Sequence, residues 1–327
     1  MRSIRIEQYG GPEVLLRREV PVPEPRPDEV LIKVAYAGIN FMDVHTREGK
    51  YAHSSTYPVR LPCTLGMEGA GVIMGAGDAV NSHMQGERVA WCISWGSYAE
   101  YSVVPATKVA KLPDALSFEQ AAAAMFPGCT AHYLVHDAGR LRAGMSCLIH
   151  AASGGIGQIL IQLCKRLGVK VFATTSSDAK AHIARGLGAD HVMMYEGFAD
   201  GVRKMTSGKG VDVVFDPLGL ATLRGSLRAT RTRGLIVNYG AVSGAVRDLD
   251  PLELGEAGSL FLTRPRLADH MADAATVQRR ADDIFAALLD GTLTIPISGT
   301  YTLDSVEQAH AALEERQQIG KAVLKIG

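Results

Sequence analysis

Residues 148–157, LIHAASGGIG, constrain the fold of this chain more than any other stretch. A short apolar run leads into small residues and three glycines, and the helical pattern of residues 158–167 follows. This order predicts a strand, a tight turn and a helix N-terminus, where unpaired N–H groups bind a pyrophosphate. Alanine stands where the first glycine of the usual G-x-G-x-x-G would be, so the motif alone also fits a turn that serves only close packing. The stretch predicts a nucleotide-binding strand–turn–helix unit.

Strand-like and helical patterns alternate around this turn. The strand candidates are residues 147–151, 170–174, 191–194, 212–216, 234–239 and 259–263, and the helical candidates between them are 157–167, 179–187, 197–206 and 221–229. Such alternation predicts a doubly wound parallel sheet with right-handed crossovers. Six strands would complete a dinucleotide-binding sheet. A helix over 276–289 and a strand over 323–326 are expected after it.

Residues 1–120 have a different pattern and are predicted to be β-rich. Apolar alternation or apolar runs mark strands at residues 30–34, 71–74 and 88–91, and the proline-rich stretch 21–27 fits a surface connection. Ser117 and Gln120 form a capping box that begins an alanine-rich helix. With 327 residues, the chain is long enough for two domains with separate cores.

Charge and cysteine content exclude several classes of protein. The 34 basic and 34 acidic residues balance, which argues against nucleic acid or an anionic membrane as the main partner. No apolar run approaches the roughly 20 residues of a membrane helix, and no apolar signal segment is visible at the N-terminus. The five cysteines are scattered and never spaced C-x-x-C, which favours free thiols in a reducing compartment. We therefore expect a soluble cytoplasmic protein.

Several short motifs occur in a fixed order: GGPEVL at 10–15, GINFMD at 38–43, GMEGAGV at 66–72, GERV at 86–89, AASGGIG at 151–157 and GSLFLTRP at 258–265. With them the whole chain resembles the medium-chain dehydrogenase/reductase superfamily and, within it, the zinc-free quinone oxidoreductase (zeta-crystallin-like) group. The resemblance implies an α/β protein with a Rossmann doubly wound parallel sheet in residues 123–267. It also implies a β-rich GroES-like catalytic domain in residues 1–122 and 268–327. A homodimer that pairs through segment 259–263 is expected as well.

The residue types decide the question of zinc. Zinc alcohol dehydrogenases of this superfamily use a thiolate, an imidazole and a further thiolate at the places that here hold Asn40, Met67 and Phe126. An amide and a thioether are poor zinc ligands, and a phenyl ring is none. The lobe that holds structural zinc needs four closely spaced cysteines, and residues 92–111 contain one. We therefore expect no metal.

The end of the second Rossmann strand indicates which cofactor binds. An NAD site usually has an acid about 20 residues past the glycines, whereas residues 173–177 read ATTSS. The hydroxyls of Ser176 and Ser177 and the cation of Lys180 would accommodate a 2′-phosphate, and similar reductases use a lysine at the matching place. Asp178 leaves NADH open, since it could turn toward the ribose. The prediction is NADPH.

Further cofactor contacts follow from the resemblance and from position in the fold. By the resemblance to similar reductases, Tyr195 and Arg316 are expected to complete the phosphate pocket. Thr130 is expected to lie near the nicotinamide. Ligands bind outside the carboxyl ends of parallel strands. The expected set also contains the turn residues Ala152, Ser153, Gly154, Gly155, Ile156 and Gly157, the ends of the fifth and sixth strands at Tyr239, Gly240, Ser243, Leu262, Thr263 and Arg264, and Asn40.

Four residues are predicted to be catalytic. The amide of Asn40 can bond the cofactor or the acceptor oxygen, or it can stabilise a turn. Asp43 is expected to orient its neighbours. Tyr51 matches a tyrosine that lines the substrate cleft of similar reductases, where it donates to a carbonyl or packs. His45 stands where related sequences often have tyrosine, and it is either a proton donor or structural.

Three functions remain open at this point. The leading hypothesis is NADPH-dependent, zinc-free reduction of quinones, in which hydride leaves C4 of the nicotinamide. An alternative is reduction of the C=C bond of an enone, enal or acyl thioester, which needs a proton donor such as Tyr51 or His45. A hypothesis of another class is a non-catalytic NADPH-binding protein, as in the lens-crystallin members of the group.

Overall fold

The computed structural model describes residues 1–315 and 319–327, which form two compact units. One unit contains residues 1–129 and 270–327, and the other contains residues 130–269. The domain boundaries expected from the sequence, at 122/123 and 267/268, stay a prediction. None of the helices in the described residues is both long and apolar enough to span a membrane.

The N-terminal part of the first unit is rich in strands, as the sequence predicts. Its strands are β1 (Arg2–Ile6), β2 (Leu16–Glu19), β3 (Glu29–Gly38), β4 (Cys63–Thr64), β5 (Glu68–Ala76), β6 (Arg88–Cys92), β7 (Tyr101–Pro105) and β8 (Val109–Lys111). Two helices belong to the same stretch, α1 (Phe41–Arg47) and α2 (Phe118–Tyr133), and the second runs into the other unit. The N–H of Gln120 donates to Oγ of Ser117 at 3.2 Å, so the predicted helix start is confirmed.

The second unit is a Rossmann sheet. Its elements are β9 (Ser146–Ile149), α3 (Gly155–Arg166), β10 (Lys170–Thr175), α4 (Asp178–Gly186), β11 (His191–Met194), α5 (Phe198–Met205), β12 (Val211–Asp216), α6 (Leu223–Ala229), β13 (Thr230–Asn238), α7 (Pro251–Glu256) and β14 (Phe261–Thr263). Within the described residues, six parallel strands pair in the order β11-β10-β9-β12-β13-β14. Counted from β9 this is 3-2-1-4-5-6, the order of dinucleotide-binding domains.

The last strand of that sheet is shorter than predicted. The sequence pattern placed it at 259–263, but β14 begins at Phe261. Gly258 and Ser259 have φ values of 117° and 56°, and this left-handed backbone cannot continue into a strand. The neighbouring strand β13 begins at Thr230, earlier than the predicted 234.

The chain then returns to the first unit through α8 (Ala274–Leu289), β15 (Ile297–Thr302), α9 (Val306–Glu314) and β16 (Lys321–Lys325). In this unit β2, β1 and β4 form a small sheet, and the larger sheet has the order β15-β16-β3-β5-β6-β8, with β7 also on β3. Val323 of β16 is opposite Gly38 of β3, and Gly69 of β5 is opposite Ala37. This register brings the start of β16, the start of β5 and the end of β3 to one corner of the sheet.

Candidate active site

The glycine-rich turn is built as the sequence predicts. Ala151 has φ of 50°, so it adopts the left-handed conformation that usually favours glycine, and Gly154 caps α3. A Cβ on Gly157 would collide with the carbonyl oxygen of Ala151 and lie 2.8 Å from Cα of Ala152, whereas a Cβ on Gly155 would meet nothing within 4 Å. Gly157 therefore lets the helix pack on the turn, and the exposed Gly154 and Gly155 leave backbone open to an anion.

The other predicted residues of this turn are partly or wholly buried. Ala152 and Ser153 are buried and Ile156 is half-buried. Tyr195, just after β11, accepts a hydrogen bond from the N–H of Ala151 at 3.2 Å. Burial raises the pKa of the Tyr195 phenol, so it stays protonated at neutral pH. This hydrogen bond connects the turn to the end of β11, which is two strands away from β9 in the sheet.

A cluster of hydroxyl groups and one ammonium group lies at the end of β10. Ser176 and Ser177 are exposed, and Nζ of Lys180 donates to Oγ of Ser176 at 3.3 Å. Oγ of Ser177 caps α4 by accepting the N–H of Lys180 at 3.4 Å. Asp178 is exposed in the first helical turn. Hydroxyls, an ammonium and the positive end of a helix together suit a phosphate monoester.

The carboxyl ends of β13 and β14 and the loop after β13 line an open cavity of about 250 Å³. It brings together four predicted cofactor residues, namely Gly240, Leu262, Thr263 and Arg264. The guanidinium of Arg264 donates to the backbone oxygen of Asn238, which also lines the cavity, at 3.0 Å.

Three other predicted cofactor residues do not line this cavity, and a fourth lies outside the described residues. Oγ of Ser243 donates to the carbonyl of Leu218 at 2.7 Å, so the hydroxyl stabilises the loop. Tyr239 is half-buried beside the cavity, Thr130 is buried in α2, and Arg316 lies outside the described residues.

In the first unit, Asn40 belongs to a buried polar cluster. Nδ2 of Asn40 donates to Oε2 of Glu68 at 2.8 Å, and Nζ of Lys321 donates to Oδ1 of Asn40 at 2.5 Å and to Oε2 of Glu68 at 2.7 Å. Glu68 also accepts the backbone N–H of Phe126. Gly38 has to lack a side chain, since a Cβ there would overlap the Glu68 carboxylate. Sequence reasoning missed Glu68 and Lys321, because only the sheet register brings positions 253 residues apart together.

Asp43 lies in the first turn of α1 and has no exposed surface. Its Oδ2 accepts the N–H of Asn40 at 2.8 Å and the hydroxyl of Tyr98 at 3.1 Å, and burial raises the pKa of Asp43 to about 7. Tyr98 also contacts Nε2 of His310 at 3.3 Å, and Arg47 contacts Nδ1 of that ring at 3.4 Å. Arginine only donates, so the proton of His310 is on Nε2 and the Tyr98 hydroxyl points to Asp43.

Aromatic rings line one side of α1 and the loop after it. Ring centroids are 6.2 Å apart for Phe41 and His45, 6.2 Å for His45 and Tyr51, and 5.7 Å for Tyr51 and Tyr57. The Tyr51 hydroxyl also donates to the sulfur of Met42 at 2.8 Å. Burial, and then the charge of Lys50, lowers the pKa of His45, so its ring is neutral at pH 7. Such a row of rings suits a flat, conjugated acceptor.

Known proteins resemble this chain over its full length. Residues 26–114 match the family model for the alcohol dehydrogenase GroES-like domain, and residues 155–276 match that for zinc-binding dehydrogenase. A quinone oxidoreductase of Pseudomonas aeruginosa is 38% identical over 326 residues, 99% of each chain. A 2-haloacrylate reductase of Burkholderia sp. is 36% identical, and the match covers 98% of this chain and 97% of the reductase. The structure of Escherichia coli quinone oxidoreductase complexed with NADPH superposes with a TM-score of 0.94 at 34% identity, over 99% of this chain and 100% of that one.

The chain belongs to the zeta-crystallin-like quinone oxidoreductase group of the medium-chain dehydrogenase/reductase superfamily. The predicted family and fold class, a Rossmann domain with a GroES-like domain, are confirmed. In this superfamily the residue types at 40, 67 and 126 decide whether zinc binds, and the structure adds a physical argument. The ammonium of Lys321 already occupies the Asn40 oxygen and would repel a metal ion.

The remaining candidates at the zinc positions are equally unsuited. Met67 is buried with a thioether side chain, and the phenyl ring of Phe126 has no atom that could bind zinc. In residues 1–315 and 319–327, His, Cys, Asp and Glu side chains nowhere gather in a group of three or more that could hold a metal ion. The residues of this quinone oxidoreductase homologue therefore do not fit the zinc that the name of its C-terminal family model implies.

Proposed function

We propose that this protein is an NADPH-dependent, zinc-independent reductase that transfers hydride to a quinone. Full-length relatives carry the quinone oxidoreductase name, and one is solved with NADPH. The observation that carries the zinc-independent chemistry is the Asn40 amide held between Glu68 and Lys321, in place of a metal ligand. NADPH, when bound, supplies the hydride from C4 of its nicotinamide.

The residues of this chain bind the cofactor, orient it and shield it from water. We assign the 2′-phosphate to Ser176, Ser177 and Lys180, and the pyrophosphate to the turn at 152–157. The cavity at Gly240, Leu262, Thr263 and Arg264 supports a further cofactor contact there, and the roles of Thr130, Tyr195, Tyr239, Ser243 and Arg316 stay predictions.

We propose that Asn40 forms a hydrogen bond with the oxygen of the acceptor. Tyr51 and His45 would contact the ring of the acceptor. Asp43 is buried, which supports an orienting role through the N–H of Asn40. A quinone oxygen can take its proton from water, so quinone reduction requires no acid from the protein.

A second candidate is reduction of an activated C=C bond, which the 36% identity to a 2-haloacrylate reductase favours. That reaction needs a proton at the α-carbon. Because burial keeps His45 neutral at pH 7, the phenol of Tyr51 is the stronger donor of the two predicted residues.

Oxidation of NADPH with a panel of quinones, enones and 2-chloroacrylate distinguishes these functions. Turnover with quinones that a chelator leaves unchanged supports the proposal. Turnover confined to the alkenes selects the second candidate. NADPH binding without turnover of any acceptor would instead select the non-catalytic, crystallin-like function.

The Lys180→Ala variant tests the 2′-phosphate site. A charge-assisted hydrogen bond contributes about 1.5–3 kcal/mol, so the KM for NADPH should rise roughly tenfold to a hundredfold. The KM for NADH should hardly change, because NADH lacks the phosphate. Steady-state kinetics with both cofactors measure this, and equal losses with both would remove Lys180 from the phosphate site.

We also propose a homodimer that pairs through the edge of the Rossmann sheet. Among the described residues, β14 pairs only with β13, and Phe261 in β14 is 59% exposed. Exposed apolar edge strands are regions of association.

Phe261→Asp should shift the protein to monomer, because a two-fold axis places the two new carboxylates close together. Analytical ultracentrifugation at micromolar concentration measures the change. The control is Met84→Asp, at a side chain that is 69% exposed in the other unit, and it should leave the mass unchanged. A variant dimer, or a wild-type monomer, contradicts the proposed interface.

The cellular assignment is a proposal as well. The five cysteines Cys63, Cys92, Cys129, Cys147 and Cys164 are free and buried, which supports a reducing compartment, the cytoplasm. The equal numbers of basic and acidic residues support the absence of a nucleic-acid or membrane partner. Cell fractionation tests this, and recovery in the membrane fraction would contradict it.

A further inference from the structure

A buried ion pair lies outside the predicted catalytic set. Glu68 is fully buried and Lys321 is 7% exposed, and their Oε2 and Nζ atoms are 2.7 Å apart. Removing two charges from water is costly, and an ion pair offsets that cost only when further hydrogen bonds satisfy both groups. Here both groups bond the same amide, that of Asn40.

The two charges fix the orientation of that amide. Oδ1 of Asn40 faces the ammonium at 2.5 Å and Nδ2 faces the carboxylate at 2.8 Å. A flipped amide would set its N–H groups against Nζ of Lys321 and its oxygen against the carboxylate of Glu68, and both contacts would repel. Only one of the two amide orientations is therefore stable.

This orientation determines which hydrogen bond the amide can offer. Nδ2 carries two N–H groups and Glu68 takes one of them. The ammonium on Oδ1 draws electron density toward the oxygen and makes the second N–H a stronger donor. Asn40 is buried, with 8% of the residue exposed.

We propose that Lys321 is a positioning residue that makes Asn40 a hydrogen-bond donor to the carbonyl oxygen of the acceptor. Negative charge grows on this oxygen during reduction, and a preorganised donor stabilises it. The site then selects acceptors whose reducible bond is conjugated with a carbonyl, as in quinones and enones. The inference rests on the proposed reductase function and on the assignment of Asn40 to the acceptor.

The test is a double-mutant cycle on Asn40→Ala and Lys321→Met, with 1,4-benzoquinone as the acceptor. Loss of an oriented donor lowers kcat by roughly a hundredfold or more, so Lys321→Met alone should lower kcat by about tenfold to a hundredfold, since the donor is disoriented but still present. In the Asn40→Ala background it should lower kcat by less than about twofold, because no amide is left to orient. The Kd for NADPH, from fluorescence titration, should stay within about twofold.

Lys325→Met, at an exposed position on the same strand, is the matched control and should keep wild-type kcat. Equal losses of kcat from Lys321→Met in both backgrounds would overturn the proposal, since they would show a purely structural role. An unchanged kcat in Lys321→Met would overturn it as well.

Further variants address folding, because Lys321→Met leaves Glu68 buried without its cation. The double variant Glu68→Gln/Lys321→Met balances the charge and should fold yet keep the low kcat, whereas Lys321→Arg should restore part of it. A charge-balanced variant with wild-type kcat would contradict the proposal.

A measurement without turnover separates this inference from the proposed function. The side-chain ¹⁵N–¹H signals of Asn40, identified by their loss in Asn40→Ala, should shift in Lys321→Met and stay in place in Lys325→Met. If no acceptor is reduced, the proposed function fails while this signal still reports on the amide. Unshifted signals in Lys321→Met would overturn the positioning role.

Discussion

Gly157→Ala is expected to destabilise the Rossmann unit by about 3 kcal/mol or more and to abolish NADPH binding. A Cβ at this position would overlap the carbonyl of Ala151 and lie 2.8 Å from Cα of Ala152. Both neighbours are backbone atoms of the turn, so the collision can be relieved only by moving α3 or the turn itself. Overpacking of this kind costs roughly 1–3 kcal/mol where side chains can adjust, and more where they cannot.

The change also affects function, since the turn presents the N–H groups that we assign to the pyrophosphate. A helix pushed away from the turn would carry those donors with it. Urea unfolding measures the loss of stability, and fluorescence titration measures the loss of NADPH affinity.

Gly155→Ala is the matched control, because it lies two residues away in the same helical turn. A Cβ there meets nothing within 4 Å, so the stability should stay the same or rise by up to about 1 kcal/mol. NADPH affinity should nevertheless fall, since the exposed backbone at Gly155 is where we expect the pyrophosphate to approach closely. Equal stability of the two variants would contradict the packing role of Gly157.

The Rossmann sheet could be predicted from sequence because its signals are local. Each strand from β9 to β13 follows or precedes a helix with its own apolar pattern, and the rule of right-handed crossovers limits the topologies that these elements can form. Errors occur where local backbone strain decides, as at Gly258 and Ser259 before β14. Helices α1, α7 and α9 and strand β15 have short or weak patterns, and the sequence reasoning did not predict them.

The sequence could point to those candidate residues whose own side-chain chemistry suggests a role. Asn40 and Lys180 could be singled out because amides and ammonium groups have few roles at those positions of the fold. Lys321 could not, since a lysine that begins a strand usually points to solvent. Its partner Glu68 lies in another strand, and their contact depends on the pairing of β16, β3 and β5. Long-range register of this kind has no signature in one sequence.

A second buried network contains a histidine whose titration should affect the stability of the Rossmann unit in acid. His150 has no exposed surface, and its ring nitrogens contact the hydroxyls of Thr174 at 2.7 Å and Ser226 at 3.0 Å. Ser226 in turn donates to Asp216 at 3.0 Å, so Nε2 of His150 carries the proton. Burial lowers the pKa of His150 to about 4, although the charge of Asp216 opposes the shift.

The titration of His150 should therefore lower the stability of the folded chain as the pH falls below about 6.5. An imidazole in the unfolded chain takes up a proton near pH 6.5, while the buried ring stays neutral down to about pH 4. Since the unfolded state binds more protons in this interval, His150 alone should cost about 2 kcal/mol between pH 7.5 and pH 5. The buried His310, whose pKa burial lowers to about 3, adds a loss of the same sign, whereas Asp43, whose pKa burial raises to about 7, contributes with the opposite sign.

His150→Gln should remove its share of this pH dependence, because glutamine can bond Thr174 and Ser226 but does not titrate. Urea unfolding at pH 5 and pH 7.5 should show a smaller difference in unfolding free energy for the variant, by about 2 kcal/mol, even if the variant is less stable at both values. His53→Gln is the control, at an exposed side chain that water surrounds in both states, and it should keep the wild-type difference. A variant with the full wild-type difference would mean that His150 is protonated equally in the folded and unfolded chain.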